Sequence, residues 1–143
     1  MRALLDVNVL IALLDTAHPH HGLAAEWLRA NIRHGWASCP ITQNGCIRIM
    51  SQPSYPGSRP VTEIVERLRG GLAHRAHEFW PDSVSLLDAE LVDSARVHGA
   101  RQVTDTYLLA LAVRRQGRFV TFDAGVALSA VVQAEPRHLV TLI

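Results

Sequence analysis

Short apolar runs and helix-length segments alternate along this chain, and that alternation constrains its fold more than any other feature. Ala3-Leu4-Leu5 is a buried-strand run ending at Asp6. Residues 20–34 place Leu23, Trp27, Leu28 and Ile32 on one helical face, with Gly35 as the stop. Residues 36–39 read as a second strand, and residues 42–50 as a helix ending before Pro53. The Pro/Gly/Ser-rich stretch 52–60 is a surface loop. Pro60 opens a helix with Val61, Ile64, Val65, Leu68 and Leu72 on one stripe, closed at Gly70-Gly71 or soon after. Phe79 and Trp80 mark a third strand. Asp88 is placed to cap a helix running to about His98, where Gly99 stops it. Thr104-Asp105 starts TYLLALAVRRQ, a segment apolar on nearly every side that ends at Gly117 and must be buried. Phe119-Val120-Thr121-Phe122 is a β-rich run ending at Asp123, and residues 138–143 form a last strand. Strands joined through helices pair in parallel and carry those helices on both faces of the sheet. The expected fold is therefore α/β, one domain over residues 1–143 without repeat or linker.

Composition removes several chemistries. The chain has 143 residues, 48% of them hydrophobic and 19% charged, enough for a core without disulfide or metal staples. All 14 of its Lys-plus-Arg residues are arginine. A P-loop, a Schiff-base enzyme, a phosphorelay receiver and a haloacid-dehalogenase-type phosphatase all rely on a lysine, so none runs here in its usual form. The net charge of +1 gives no overall basic field. Cys39 and Cys46 form neither a disulfide framework nor a zinc pattern and read as buried, inert thiols. ALLDVNVLIALL superficially resembles a signal peptide, but Asp6 and Asn8 interrupt it and no small-residue cleavage site follows. No stretch approaches the ~20 apolar residues of a membrane span, so a cytoplasmic location without membrane attachment is expected.

Ligands of an open parallel sheet bind beyond the carboxyl ends of its strands. Asp6 and Asp123 each follow a strand run directly, and Asp105 opens the buried helix, so three carboxylates from distant parts of the chain converge on one rim. Crowded together they repel, and a hard divalent cation is the natural neutraliser, with all-oxygen ligation suiting Mg²⁺ and Mn²⁺ as its equivalent. Taken singly, each has a structural alternative: Asp105 as a helix cap, Asp6 as a strand-end turn residue, Asp123 before Ala124-Gly125 as a turn or cap.

LLDVNVLIALL, VTDTYLLALA and FVTFD together resemble the three acidic motifs of PIN domains, and more narrowly of the VapC-type toxins of bacterial toxin–antitoxin pairs. The resemblance covers essentially the whole chain, with Asp123 eighteen positions after Asp105. It implies a parallel five-stranded sheet and Mg²⁺-dependent endoribonuclease activity that cleaves RNA phosphodiesters by metal-activated water. It also implies a homodimer and a cognate antitoxin that inserts a segment, often with an arginine, into the acidic cleft. Asp6, Asp105 and Asp123 match the metal-site acids. Asn8 matches a polar position supporting the first, and Thr104 a hydroxyl beside the second; as alternatives, Asn8 caps the next helix and Thr104 begins its own.

The pattern departs at one point. PIN domains usually carry a glutamate in a T-x-x-E segment, and Thr42-Gln43-Asn44-Gly45 puts glycine there. Either three carboxylates suffice for catalysis, the reading favoured here, or the chain is a catalytically impaired module that binds RNA or antitoxin. Of the arginines, Arg48 is the candidate RNA contact, on the face expected to border the cleft, whereas Arg114 and Arg115 suit a helix C-terminus. His18-Pro19-His20-His21 is too crowded for a tetrahedral metal set and reads as a loop before a helix. Trp27, Trp36 and Trp80 read as core residues rather than base-stacking platforms.

Overall fold

The structure, a computed structural model, describes residues 1–142. Ile143, the end of the strand expected over 138–143, lies outside the described residues. Five strands, β1 (Ala3–Leu5), β2 (Trp36–Ser38), β3 (His77–Phe79), β4 (Arg118–Thr121) and β5 (Leu139–Thr141), form one sheet in the order β3-β2-β1-β4-β5. Every pairing is parallel, with Ala3 opposite both Trp36 and Arg118 and Leu5 opposite Val120. The expected α/β architecture with a parallel sheet is what the chain forms.

Alternation of side chains along β1 and β4 divides the core in two, because successive Cβ atoms leave opposite faces of a strand. Leu4 and Phe119 point to one face, with Ala37 and Trp80, and meet Leu108, Leu109 and Leu111 of α5 (Val103–Arg114). Ala3, Leu5 and Val120 point to the other. There they meet α1 (Val7–Leu14), α3 (Pro40–Met50) and α4 (Val61–Leu72), with Ala24 of α2 (His21–Asn31) joining at the edge. Trp27 and Leu28 of α2, and Ile32 just past its end, pack onto this core as the periodicity requires, while Leu23 is exposed.

Residues 106–113 of α5 are all buried, and part of their outer cover comes from chain that the sequence reads as helical. Asp88 caps only a single turn, accepting from the Glu90 amide. No helix then runs to His98. Val92 pairs with Val131 in an isolated antiparallel bridge, and Leu91, Val92 and Val131 close over α5. Helical spacing loses here because the all-round apolar surface of α5 needs a second layer, and a run of turns, with a single 3-10 turn over Ser94–Arg96, lays Leu91 and Val92 on it.

The strand order reverses between β1 and β4. Crossovers run to β2 and β3 on one side and to β5 on the other. At such a switch point the loops beyond the strand ends diverge and leave a crevice. Asp6 follows β1 directly, and Asp123 comes two residues after β4 ends. Among the described residues no helix is long and apolar enough to cross a membrane.

Candidate active site

Asp6 is the N-cap of α1, its Oδ1 accepting from the Val7 amide at 2.7 Å, so its structural role is a helix cap rather than the strand-end turn that the sequence suggests. The other oxygen, Oδ2, accepts from the Thr121 hydroxyl at 2.6 Å. Thr121 is fully buried, and the same hydroxyl oxygen accepts from the Asp123 amide at 3.0 Å and from the Asn8 side-chain amide at 3.5 Å. Asn8 Oδ1 in turn accepts from the Phe122 amide at 3.5 Å. The sequence reading missed Thr121, which ties the ends of β1 and β4 together. A threonine in a β-rich run signals strand propensity and nothing more. Asn8 lies one residue inside α1 and holds the β4 end rather than capping the helix.

Asp105 stands in the first turn of α5, two residues past its start at Val103, so the helix boundary does not need it as a cap. Asp123 Oδ1 accepts from the Gly125 amide at 2.7 Å, closing the turn after β4. The three carboxylates line one open cleft of about 460 Å³, joined by Val7, Asn8, His18, Ile49, Tyr55 and Arg101. Their electrostatics show mutual repulsion. Burial raises the Asp6 carboxyl, opposed by the hydrogen bonds from Thr121 and Val7, and the Asp123 charge raises it further. Asp105 is pushed up to about 7, first by burial, then by the Asp6 charge, then by a hydrogen bond and charge from Asp123.

Such repulsion in a half-dry crevice is what a divalent cation relieves. Among the described residues no three His, Cys, Asp or Glu side chains close into a ready-made cage. The donor set is instead three carboxylates on an open wall. That suits Mg²⁺, which keeps several waters and takes only one or two protein carboxylates at a time. Asp6, Asp105 and Asp123 fit such an ion in charge and donor chemistry.

Other predicted residues fall elsewhere. Thr104 is exposed on α5 and does not line the cleft; Thr106, two residues on, donates to the Gln102 carbonyl at 2.7 Å instead. Arg48 is exposed on α3 and likewise outside the cleft lining, where Arg101 stands in its place. Arg114 pairs with Asp88 at 3.7 Å, and Arg115 lies over Trp80. Trp36 and Trp80 are buried and Trp27 is partly buried against the core, as expected. The thiols of Cys39 and Cys46 are free and buried, and burial pushes Cys46 up to about 12. His18 does reach the cleft; its Nδ1 accepts from the His20 amide at 3.0 Å, leaving Nε2 as the remaining ring nitrogen.

Gly45, at the position of the missing glutamate, packs against Val7. A Cβ there would lie 2.7 Å from Val7 Cγ2, so α1 and α3 approach too closely for a side chain at 45.

Residues 3–133 match the family model described as PIN domain. The chain is 54% identical over 142 residues to Ribonuclease VapC44 of Mycobacterium tuberculosis, covering 99% of this chain and 100% of that protein. It is 43% identical over 142 residues to Ribonuclease VapC38 of the same organism, covering 99% and 97%. Among solved structures it resembles the Mycobacterium tuberculosis VapC20, a sarcin–ricin loop cleaving toxin, with TM-score 0.61 and 13% identity over 94% of this chain and 99% of that one. It also resembles a chain of VapBC2 from Rickettsia felis bound to promoter DNA, with TM-score 0.59 and 14% identity over 86% and 89%. At such identities these two likenesses concern the fold.

Proposed function

Because this chain belongs to the PIN-domain family, among its VapC-type ribonucleases, we propose that it is the toxin of a toxin–antitoxin pair, an endoribonuclease that cleaves RNA phosphodiesters with the aid of Mg²⁺. The observation that carries the reading is the convergence of Asp6, Asp105 and Asp123 on one cleft at the switch point of the sheet. A binding surface needs no three carboxylates held against their own repulsion, whereas a cation site does.

Asp6, Asp105 and Asp123 would hold the ion. When bound, Mg²⁺, or Mn²⁺ in its place, activates water and offsets charge on the phosphoryl group under attack. The chain's own residues do the rest. The Thr121 hydroxyl fixes the Asp6 rotamer by donating to Oδ2, and Asn8 holds the start of the Asp123 turn, so two ligands are set before any cation arrives. Val7, Ile49 and Tyr55 border the cleft and limit water around the carboxylates. The cognate antitoxin is the partner expected to occupy this cleft when cleavage is silenced.

The test is cleavage of total cellular RNA by purified, antitoxin-free protein with Mg²⁺ or Mn²⁺, beside EDTA and the Asp105→Asn variant. Discrete fragments from wild-type protein with metal, and from neither control, are expected. Asparagine keeps the shape of aspartate and removes its charge, so full activity in Asp105→Asn would make Asp105 structural. No cleavage with either metal from folded protein would overturn the nuclease reading.

A further inference from the structure

Beside the carboxylate cleft lies a second cavity of about 580 Å³, within the roughly 300–1,000 Å³ range of small-ligand sites. His98, Gly99, Gln102 and Gly125 line it, and Arg101 and Asp123 stand on the wall shared by both cavities. On the RNA-cleaving reading above, we propose that this second cavity receives the nucleotide flanking the cleaved bond, with Arg101 pairing to a backbone phosphate and the His98 ring stacking on the base.

Three observations carry it. First, Arg101 lines a cleft with three carboxylates yet forms no ion pair among the described residues. Arg96 and Arg114, the arginines on either side of it in sequence, each have an acid partner. The Arg101 guanidinium thus keeps its donors for a ligand, and a fork of N–H groups matches a phosphate diester. Secondly, its backbone is preset. Gln102 Oε1 accepts from the His98 amide at 2.8 Å while Nε2 donates to the Gly125 carbonyl at 3.0 Å. One side chain therefore clamps residues 98–102 to the turn after Asp123. Thirdly, the cavity is open where a flat ring must enter: Gly99 has nothing within 4 Å of where its Cβ would stand. A single strand leaving the carboxylates past Arg101 runs straight into this space, with a cation for its phosphate and an exposed imidazole for its base.

The test uses Asp105→Asn protein, which suspends cleavage, and a fluorescein-labelled single-stranded oligoribonucleotide of mixed sequence. Its affinity is read by anisotropy across a NaCl series. Losing one phosphate contact lowers the slope of log K against log salt by about 0.7 for a single strand. Arg101→Ala is expected to show that loss, and Arg101→Lys to keep the slope at lower affinity. His98→Ala is expected to weaken binding roughly fivefold or more with the slope unchanged. An unchanged slope in Arg101→Ala overturns the site, and if its metal-free melting temperature falls as well, Arg101 merely neutralises the acids. Unchanged affinity in His98→Ala removes the base from the cavity. The two readings fail separately. Wild-type protein that cleaves RNA while Arg101→Ala keeps its slope preserves the nuclease and loses the cavity; the opposite pattern preserves the cavity and loses the nuclease.

Discussion

The Thr121 hydroxyl donates to Asp6 Oδ2 at 2.6 Å across 115 residues of chain, and it is the link that makes the ends of β1 and β4 one site. Thr121→Val keeps the shape and removes the link. It leaves the Asp123 amide without its acceptor and Asp6 with one hydrogen bond fewer inside a nearly water-free contact. A loss of about 1–3 kcal/mol is expected in urea unfolding. RNA cleavage should fall roughly 10–100-fold, because a loosened carboxylate no longer points at the cation. Unaltered cleavage in the destabilised variant would restrict Thr121 to folding.

The raised Asp105 carboxyl ties stability to pH in metal-free protein. Its ordinary value is 3.8 and its folded value about 7, so the folded state holds the proton more tightly than the unfolded chain. The resulting stability is complete below about pH 4 and is lost as pH rises through about 7. Asp6, raised in the same direction, adds to the trend. Asp105 is only half-buried, so solvent screening reduces the effect to on the order of 1–2 kcal/mol. Melting temperature in EDTA should therefore fall from pH 4 to pH 8 in wild-type protein and change much less in Asp105→Asn. Added Mg²⁺ should restore most at the alkaline end, where all three carboxylates are charged.

Much of this was legible in the residues. Apolar runs of three or four residues separated by helical stripes fix a parallel sheet, and Asp6 and Asp123 announce themselves by following such runs. Asp105 stands out by opening a helix too apolar to face water. What could not be read depends on distance across the chain. Residues 88–98 carry helical spacing, but whether they cover α5 is decided by Val131, far along the sequence. Arg48 and Arg101 look alike as exposed arginines near helices. Only the packing of residues 98–102 on the Asp123 turn, through Gln102, brings one of them to the cleft.

Enclosure of α5 from both sides has its own consequence. Leu109 and Leu111 are both fully buried among the residues that meet the sheet and its outer cover. Each substitution to alanine should cost about 2–5 kcal/mol, at the upper end where neither layer collapses inward. Because Asp105 sits in the first turn of the same helix, the metal-dependent gain in melting temperature should shrink in parallel. A variant that loses stability yet keeps its full metal response would show that the first turn is held independently of the helix core.

Gly45 and Val7 form a complementary pair. An alanine at 45 gains about 1 kcal/mol of helix propensity, but its Cβ lands 2.7 Å from Val7 Cγ2 and 3.2 Å from Cγ1. Val7 is β-branched and follows Asp6, so it has little freedom to turn aside. Overpacking should win, leaving Gly45→Ala less stable by about 1–2 kcal/mol. Combined with Val7→Ala the penalty should vanish, a coupling that a double-mutant cycle reads directly. The same geometry predicts where a fourth carboxylate can return. Gly45→Glu alone should unfold more easily, whereas Val7→Ala with Gly45→Glu should place a new acid beside Asp6 and bind Mn²⁺ more tightly in titration calorimetry. No gain in Mn²⁺ affinity from the folded double variant would mean that position 45 does not address the carboxylate cleft.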